Sequence, residues 1–384
     1  MMVGKFPMDP RFFKEGTEGS VYGEARALVQ RGHEVVVLDM PRSIIEQDYQ
    51  EIVDGVQVYR FFCEKETPKM QRKVVRQRII PKLLSMNPDI CHLHVKQHHS
   101  PLFIAALRLH RIKFLVEIHG LPRNEAKQAF LKQRSLTKFI SWMYECYREF
   151  VFVRQIRLVV TDTDYEKAAL EKYAISHPID VSVIHQGIHE DFYHQDYQPQ
   201  PNTILAVGTI APRKDQLMML DVIDRVRKEI PEVKLAIVGA LVDLEYYKKL
   251  QVRIVSKKLS QHVTLHPDVH ASELLKKYSR SRLFILSASE ESQCVAMAEA
   301  MAVGLPVVST KVGGIVHLIS DGKNGYLCAH GDVKTMARQI VSLLRDEETC
   351  QRMSLQNRQD AEEYRWDTLV DKYIALYDRI LNEK

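Results

Sequence analysis

SASEESQCVAMAEAMAVGLPVV, residues 287–308, decides how the rest of the chain is read. It completes an apolar run, RLFILSAS, and sets Glu291 just past that run and Glu299 eight residues later in an Ala- and Met-rich, helix-forming segment. Gly304 ends the helix, and Pro306 prevents it from resuming. A second apolar strand, Leu305 to Ser309, follows at once. Strand, acidic turn, short helix and strand make one βαβ step, with the turn at the carboxyl end of a strand, where open α/β sheets bind ligands. Carboxylates near a helix start are unsuited to holding a phosphate. They suit the hydroxyls of a sugar or ribose, leaving backbone N–H groups for phosphates. One such Glu alone reads as a solvated turn; the pair reads as a site.

The bulk properties frame this step. With 384 residues the chain exceeds the ~250–300 that one core usually serves, so two domains are expected. Hydrophobic residues make up 45% and charged ones 27%, ordinary for a globular protein. No run reaches the ~18 apolar residues of a membrane span, and MMVGKFPMDPRFF lacks the apolar core of a signal peptide. The six cysteines are scattered without a CxxC pair, which fits free thiols in a reducing cytoplasm. A net charge of +5 is mild, so any site for an anionic partner must be local.

Residues 1–40 read as strand, glycine loop, helix and strand. Gly16 and Gly19 stand just before the first helix, where glycines let a backbone approach a ligand closely. GVQVYRFF alternates as a strand. Between Lys69 and Lys82 lie six basic residues and no acidic one, among Val74, Val75, Ile79 and Ile80. The stronger reading is a solvated helix face packing its apolar side inward; the alternative is a segment lying on an anionic membrane. Pro81 shortens any helix there.

In NPDICHLHVKQHHS, His92 and His94 share one face of a strand, with His98 and His99 behind them. No carboxylate or cysteine stands at a supporting spacing, so a polar pocket wall is preferred to a metal site. KFLVEIHG ends at His119 and Gly120 on a strand's carboxyl edge, where a histidine donates to a hydroxyl or acts as acid or base. Residues 124–154 mix basic and aromatic side chains. Without a nucleic-acid motif, they read as helices facing an acceptor or a membrane. Asp162-Thr163-Asp164 resembles a metal-binding DxD, but Thr163 and Glu166 make a capping box, and the cap is preferred. The polar HQDYQPQPN ends the first domain near residue 195.

From Thr203 the β-α alternation restarts with all-apolar strands, which means a second parallel, doubly wound sheet. Arg213 and Lys214 follow TILAVG, which ends at Gly208, and face the same edge as Glu291. Cations there neutralise a leaving diphosphate. Gly313 and Gly314 give another close backbone approach, and a long amphipathic helix closes the chain.

These residues together resemble the retaining glycosyltransferases of family 4. The resemblance runs over nearly the full length. Its motifs are Glu291-x7-Glu299 with AMAVGLPVV, the GTEG loop before GHEVVV, PDICHLH, EIHG, VGTIAPRK, KVGG and DGKNGYL. It implies the GT-B fold, an α/β architecture of two Rossmann-like doubly wound domains facing across a cleft. The first domain, on the acceptor side, would span 1–195 and the nucleotide-sugar domain 196–365, with helix 366–384 crossing back to the first.

The resemblance also implies roles. Glu291 would bind the sugar hydroxyls, with the backbone of Gln293, Cys294 and Val295 near sugar and phosphate. Glu299 would accept from the ribose. Lys214 would stabilise the leaving diphosphate beside Gly208, Thr209 and Arg213, and His119 would stand by the sugar. Gly16 to Gly19 would approach the diphosphate, and Asp268 and Val269 the base. Glu291, Lys214 and His119 form the expected catalytic set. The implied reaction is hexosyl transfer from a nucleotide-diphosphate sugar to a carbohydrate or lipid-linked acceptor, without cofactor or metal, in polysaccharide or glycolipid synthesis. No nucleic-acid partner is expected; the cytoplasm and the inner membrane face are the expected places.

Three positions depart from the family pattern: Thr209 replaces an Arg, Ser292-Gln293 replace a Gly and an aromatic, and His317 replaces an acidic residue. A second reading therefore stands beside the first. It is a nucleotide-sugar-binding or scaffold protein without turnover, and the same fold also hosts epimerases and phosphorylases.

Overall fold

A computed structural model describes residues 1–8, 16–40, 45–65, 67–94, 100–172 and 178–383. The chain divides into two units, Met1–Gly187 with Trp366–Lys384, and Ile188–Arg365.

The first unit holds an eight-stranded sheet. In chain order its strands are β1 (Met2–Val3), β2 (Val36–Asp39), β3 (Tyr49–Val53), β4 (Val56–Arg60), β5 (Ile90–Leu93), β6 (Lys113–Ile118), β7 (Leu158–Thr161) and β8 (Asp180–Val183). Their order across the sheet is β3-β4-β2-β1-β5-β6-β7-β8. All pairs are parallel except β3 with β4. β3 lacks a run of apolar residues, its burial alternating between half-buried and exposed. Its signal is the Asp54-Gly55 dipeptide, both residues at positive φ (49° and 83°), which closes a two-residue hairpin between Val53 and Val56.

The basic segment forms one continuous helical run, Pro68–Val74, a π turn at Val75–Ile79, and Ile80–Met86. Pro81 lacks an N–H donor, and the wider turn before it accommodates that loss. Val74, Val75, Ile79 and Leu83 are buried, so the apolar side of this segment packs inward.

The helix Trp366–Asn382 belongs to the first unit, where Leu369, Tyr373 and Leu376 pack with Leu115, Val160 and Ile184. Trp366 anchors it between two glycines. A Cβ on Gly23 would fall 2.0 Å from the indole, and one on Gly187 2.4 Å.

The second unit begins at Ile188, ahead of the expected boundary at residue 195. Ile188 N–H donates to Tyr364 O at 2.9 Å, and Phe192 meets Tyr278 edge-on at 5.3 Å, which ties this stretch to the second core. Its strands are β9 (Thr203–Val207), β10 (Lys234–Gly239), β11 (Val263–Pro267), β12 (Leu283–Leu286), β13 (Val307–Thr310) and β14 (Gly325–Cys328). All are parallel, in the order β11-β10-β9-β12-β13-β14. Between β9 and β12 the winding reverses, the place where doubly wound sheets take ligands. All six cysteines are free thiols. Among the described residues no helix is long and apolar enough to cross a membrane.

Candidate functional site

Two loops meet at the switch point of the second sheet. After β9 the chain passes Gly208, Thr209 and a short 3-10 turn, Pro212–Lys214, before helix Gln216–Val226. After β12 it passes Ser287 to Cys294 before helix Val295–Val303. Ser287 Oγ donates to the carbonyls of Lys214 (3.0 Å) and Asp215 (2.8 Å), and Ser289 N–H donates to Arg213 O (2.9 Å). These bonds fix one loop against the other.

Their product is a charge cluster. Lys214 is buried, and its ammonium donates to Glu291 Oε2. Arg213 Nη1 donates to the same oxygen at 3.1 Å and to Glu290 O at 3.0 Å. Burial alone would raise the carboxyl of Glu291, but the Lys214 and Arg213 cations outweigh it and hold the group below its usual range. From the other side Gly314 N–H donates to Glu291 O at 3.0 Å. Gly313, at φ +48°, leaves room for that oxygen, since a Cβ there would lie 1.8 Å from it.

Glu299 stands on helix Val295–Val303. Its Oε2 accepts from Tyr278 OH at 2.8 Å, and Oε1 has no hydrogen-bond partner among the described residues. Burial pushes its carboxyl up to about 7, against the opposing pull of the Tyr278 hydroxyl. The two glutamates of the opening stretch thus differ: two cations hold Glu291 below the usual carboxyl range, while burial raises Glu299 to about 7.

Gln293 and Cys294 are buried at the start of this helix, where the first N–H groups have no intrahelical acceptor. Asp268, at φ +52°, and Val269 follow β11, next to the end of β10. Gly239 closes β10 so near the other loop that a Cβ would fall 1.9 Å from Gly208 O. Gln216 Nε2 donates to Thr209 O at 2.9 Å, which shapes the turn where the family carries Arg. His317 is exposed on the four-residue helix Ile315–Leu318.

In the first unit, Gly16 and Gly19 lie within helix Gly16–Gln30 and not ahead of it. His98 and His99 lie outside the described residues. His92 and His94 do meet carboxylates, contrary to the reading of their spacing. Glu24, 68 residues from His92, accepts at His92 Nδ1 (2.9 Å), and Glu117 lies 3.2 Å from His92 Nε2. Glu24 also lies 3.2 Å from His94 Nε2. Tertiary folding brings these groups together where sequence spacing does not.

The cluster continues to His119. Its Nδ1 faces Asp162 at 3.2 Å and Gln186 Nε2 at 3.0 Å; its Nε2 faces His94 Nδ1 at 3.3 Å and Glu117 at 3.5 Å. With both nitrogens engaged and the side chain 8% exposed, His119 is an internal group of this network. Burial would lower the imidazole, but Asp162 and Glu117 outweigh it and push His119 up to about 9. For His92 the same opposition, led by Glu24, also ends at about 9. Glu24, His92, His94 and Glu117 bring one ligand atom each within 4.8 Å, as do Glu117, His119 and Asp162. Burial and the neighbouring His92 hold His94 below the usual imidazole range, and burial pushes Asp162 up, so His92 and His119 are the cations of this network and Glu24 and Glu117 its low-pKa carboxylates. Thr163 accepts from Glu166 N–H at 3.3 Å, the cap expected for Asp162-Thr163-Asp164, while the Asp162 side chain turns to His119.

Comparison with known proteins follows the same division. The family model described as Glycosyltransferase Family 4 matches residues 15–192, and that described as Glycosyl transferases group 1 matches residues 189–360. The N-acetyl-alpha-D-glucosaminyl L-malate synthase of Bacillus anthracis is 36% identical over 115 residues, 30% of this chain and 29% of that one. Across several curated relatives the matched stretch spans 29% to 53% of the relative's length. Sucrose-phosphate synthase from Thermosynechococcus elongatus superposes with a TM-score of 0.76 at 17% identity, over 99% of this chain and 98% of that one. HepE of Anabaena, solved with UDP-glucose, gives 0.74 at 15% identity over 99% and 100%. At these identities the structural likeness is one of fold. With both halves matched by the paired family models and both sheets wound alike, the chain belongs to the group 1 glycosyltransferases and has the GT-B fold.

Proposed function

We propose that the chain moves a hexose from a nucleotide-diphosphate sugar to a hydroxyl of a carbohydrate or lipid-linked acceptor. Anomeric configuration is retained, and no divalent metal takes part. The observation that supports this most is the meeting of Lys214 and Arg213 with Glu291 at the switch point of the second sheet. As the bond to the anomeric carbon breaks, its electron pair goes to the departing phosphate oxygen, and negative charge grows on the diphosphate. The two cations stabilise that charge, the task a divalent ion performs in other transferases. The acceptor hydroxyl attacks from the same face, and its proton passes to the departing phosphate oxygen.

Glu291 accepts from sugar hydroxyls, and Glu299 Oε1 from the ribose. The amides at Gln293, Cys294 and Val295 take the phosphates. Gly208 and Thr209 border them, and the backbone at Asp268 and Val269 meets the base. Ser292 and Gln293 bear on sugar choice. With both ring nitrogens in internal contacts, His119 serves as a fixed cation on its sheet edge and not as a proton shuttle.

A thermal-shift panel of nucleotides and nucleotide sugars identifies the donor, since a ligand at 100 times its Kd stabilises by ~2.7 kcal/mol. Donor hydrolysis without acceptor, unchanged by EDTA and slowed by Lys214→Ala, supports the reading. If UDP-, GDP- and ADP-sugars bind but none is hydrolysed or transferred, and Lys214→Ala alters binding alone, the chain is a binding protein. An inverted anomer in the product by NMR would overturn retention.

A further inference from the structure

Helix Leu136–Val153 has an apolar face on each side. Its inward side buries Phe152 and Val153, with the Glu149 carboxylate beside them. On the outward side stand Leu136, Ile140, Met143, Tyr144, Tyr147 and Val151. At about 100° per residue they fall within roughly a quarter to a third of a turn, one stripe along the helix. All six are exposed, Leu136 at 73% and Tyr147 at 65%. Among the described residues eighteen large apolar side chains are exposed, and eight of them lie on this helix and its neighbour Pro122–Gln133. An apolar patch of this concentration marks an interaction surface.

The two helices hold that stripe outward. Phe130 stacks on Trp142 at 5.7 Å, and Phe139 meets both rings at 5.4 and 6.0 Å. These ring contacts join the two helices, with Phe139 itself partly open at 39% exposure, and the stripe lies beyond them.

Charge selects the occupant. Residues 122–157 hold eight basic and three acidic residues, a surplus of five equal to that of the whole chain. Two of the three acids are neutralised locally: Glu145 pairs with Arg148 at 2.8 Å and Glu149 with Arg123 at 3.4 Å. Lys127, Arg134, Lys138 and Arg154 have no carboxylate partner among the described residues. A second copy of this chain would set that surplus against itself. An anionic bilayer surface complements it, with tyrosines at headgroup depth and aliphatic side chains below. The basic segment at residues 69–82, for which a membrane surface is the weaker alternative, turns its apolar side inward as its spacing favours.

We infer that helix Leu136–Val153 and its cationic rim dock the first unit on an anionic lipid surface. The docking helices begin at Pro122, two residues past Gly120 at the carboxyl end of β6, so a lipid-linked acceptor would be met on the sheet edge that carries His119. The inference stands on surface chemistry and does not require the proposed transfer.

The test is co-sedimentation of the full chain with phosphatidylcholine vesicles, with and without phosphatidylglycerol. Binding is expected only with the anionic lipid and falls as salt rises. Ile140→Asn with Tyr147→Asn, and separately Arg134→Gln with Arg154→Gln, should each lower the partition coefficient roughly tenfold or more. These residues are exposed, so an unchanged melting temperature and donor hydrolysis show that the variants fold. Wild-type protein that ignores anionic vesicles, or variants that bind like wild type, would overturn the inference. So would a dimer abolished by the Ile140/Tyr147 substitutions, which would assign the face to a second copy.

Discussion

The Lys214 ammonium lies against Glu291 Oε2 across the switch point of the second sheet, though 77 residues separate them in the chain. The loop after β9 carries one and the loop after β12 the other, and the two strands are direct neighbours. Removing the ammonium leaves Arg213 to balance Glu291, so the fold should survive. Lys214→Ala is expected to lower turnover roughly 10²–10³-fold, the range for losing one preorganised charge partner of a transition state. Donor turnover set beside the melting temperature checks this; equal losses in both would show a structural role instead.

Glu299 gives a pH signature. Its folded pKa is raised to about 7, so between the ordinary carboxyl value and 7 the folded state binds more protons than the unfolded state. Stability contributed by the protonated form is therefore full at low pH and lost as pH rises through 7. Glu299→Gln should raise the melting temperature at pH 8 and change it little at pH 4. The same variant should bind nucleotide roughly tenfold more weakly at pH 8, for want of the anionic acceptor. Calorimetry with nucleotide at both pH values separates the two effects.

Arg60 makes a buried test of charge pairing in the first unit. It donates to Asp39 at 2.7 Å, to Glu51 at 2.6 Å and to the carbonyls of Phe6 and Pro7 at 3.0 and 2.7 Å. Burial pushes Asp39 up to about 7 even with Arg60 opposing it. Arg60→Met strands that carboxyl and should cost about 3–5 kcal/mol in urea unfolding. Adding Asp39→Asn should recover part of the loss, and a double variant no more stable than Arg60→Met would count against the pairing.

Gly313 is held to glycine by both its φ and its neighbour. Alanine would need a left-handed backbone and would press Cβ against Glu291 O. Gly313→Ala should displace the Glu291 turn and weaken donor affinity roughly tenfold or more, a cost of ~1.4 kcal/mol. Titration by fluorescence or calorimetry reads this directly; unchanged affinity would mean the loop yields without moving Glu291.

Much of this was legible in the chain because it is local. The apolar runs TILAVG, KLAIVG and RLFILSA fix parallel strands, Gly304 and Pro306 fix the end of a helix, and Thr163 fixes a cap within three residues of its partner. Asp54-Gly55 carries an equally local signal, for the hairpin between β3 and β4. The first unit's polar core was not legible, since Glu24, His92, Glu117 and Asp162 come from separate elements whose spacing says nothing of their approach.

The sequence by itself determined the strand–helix alternation, the division into two sheets, and which residues close the loops at the carboxyl ends of β9 and β12. Those depend on hydrophobic period and on turn chemistry, which act over a few residues. Tertiary structure alone decided that two cations hold the Glu291 carboxyl down while burial raises that of Glu299 to about 7. It also turned His119 inward and left the stripe from Leu136 to Val151 facing out. Charge state and exposure depend on neighbours far away in the chain, and only packing brings those neighbours together.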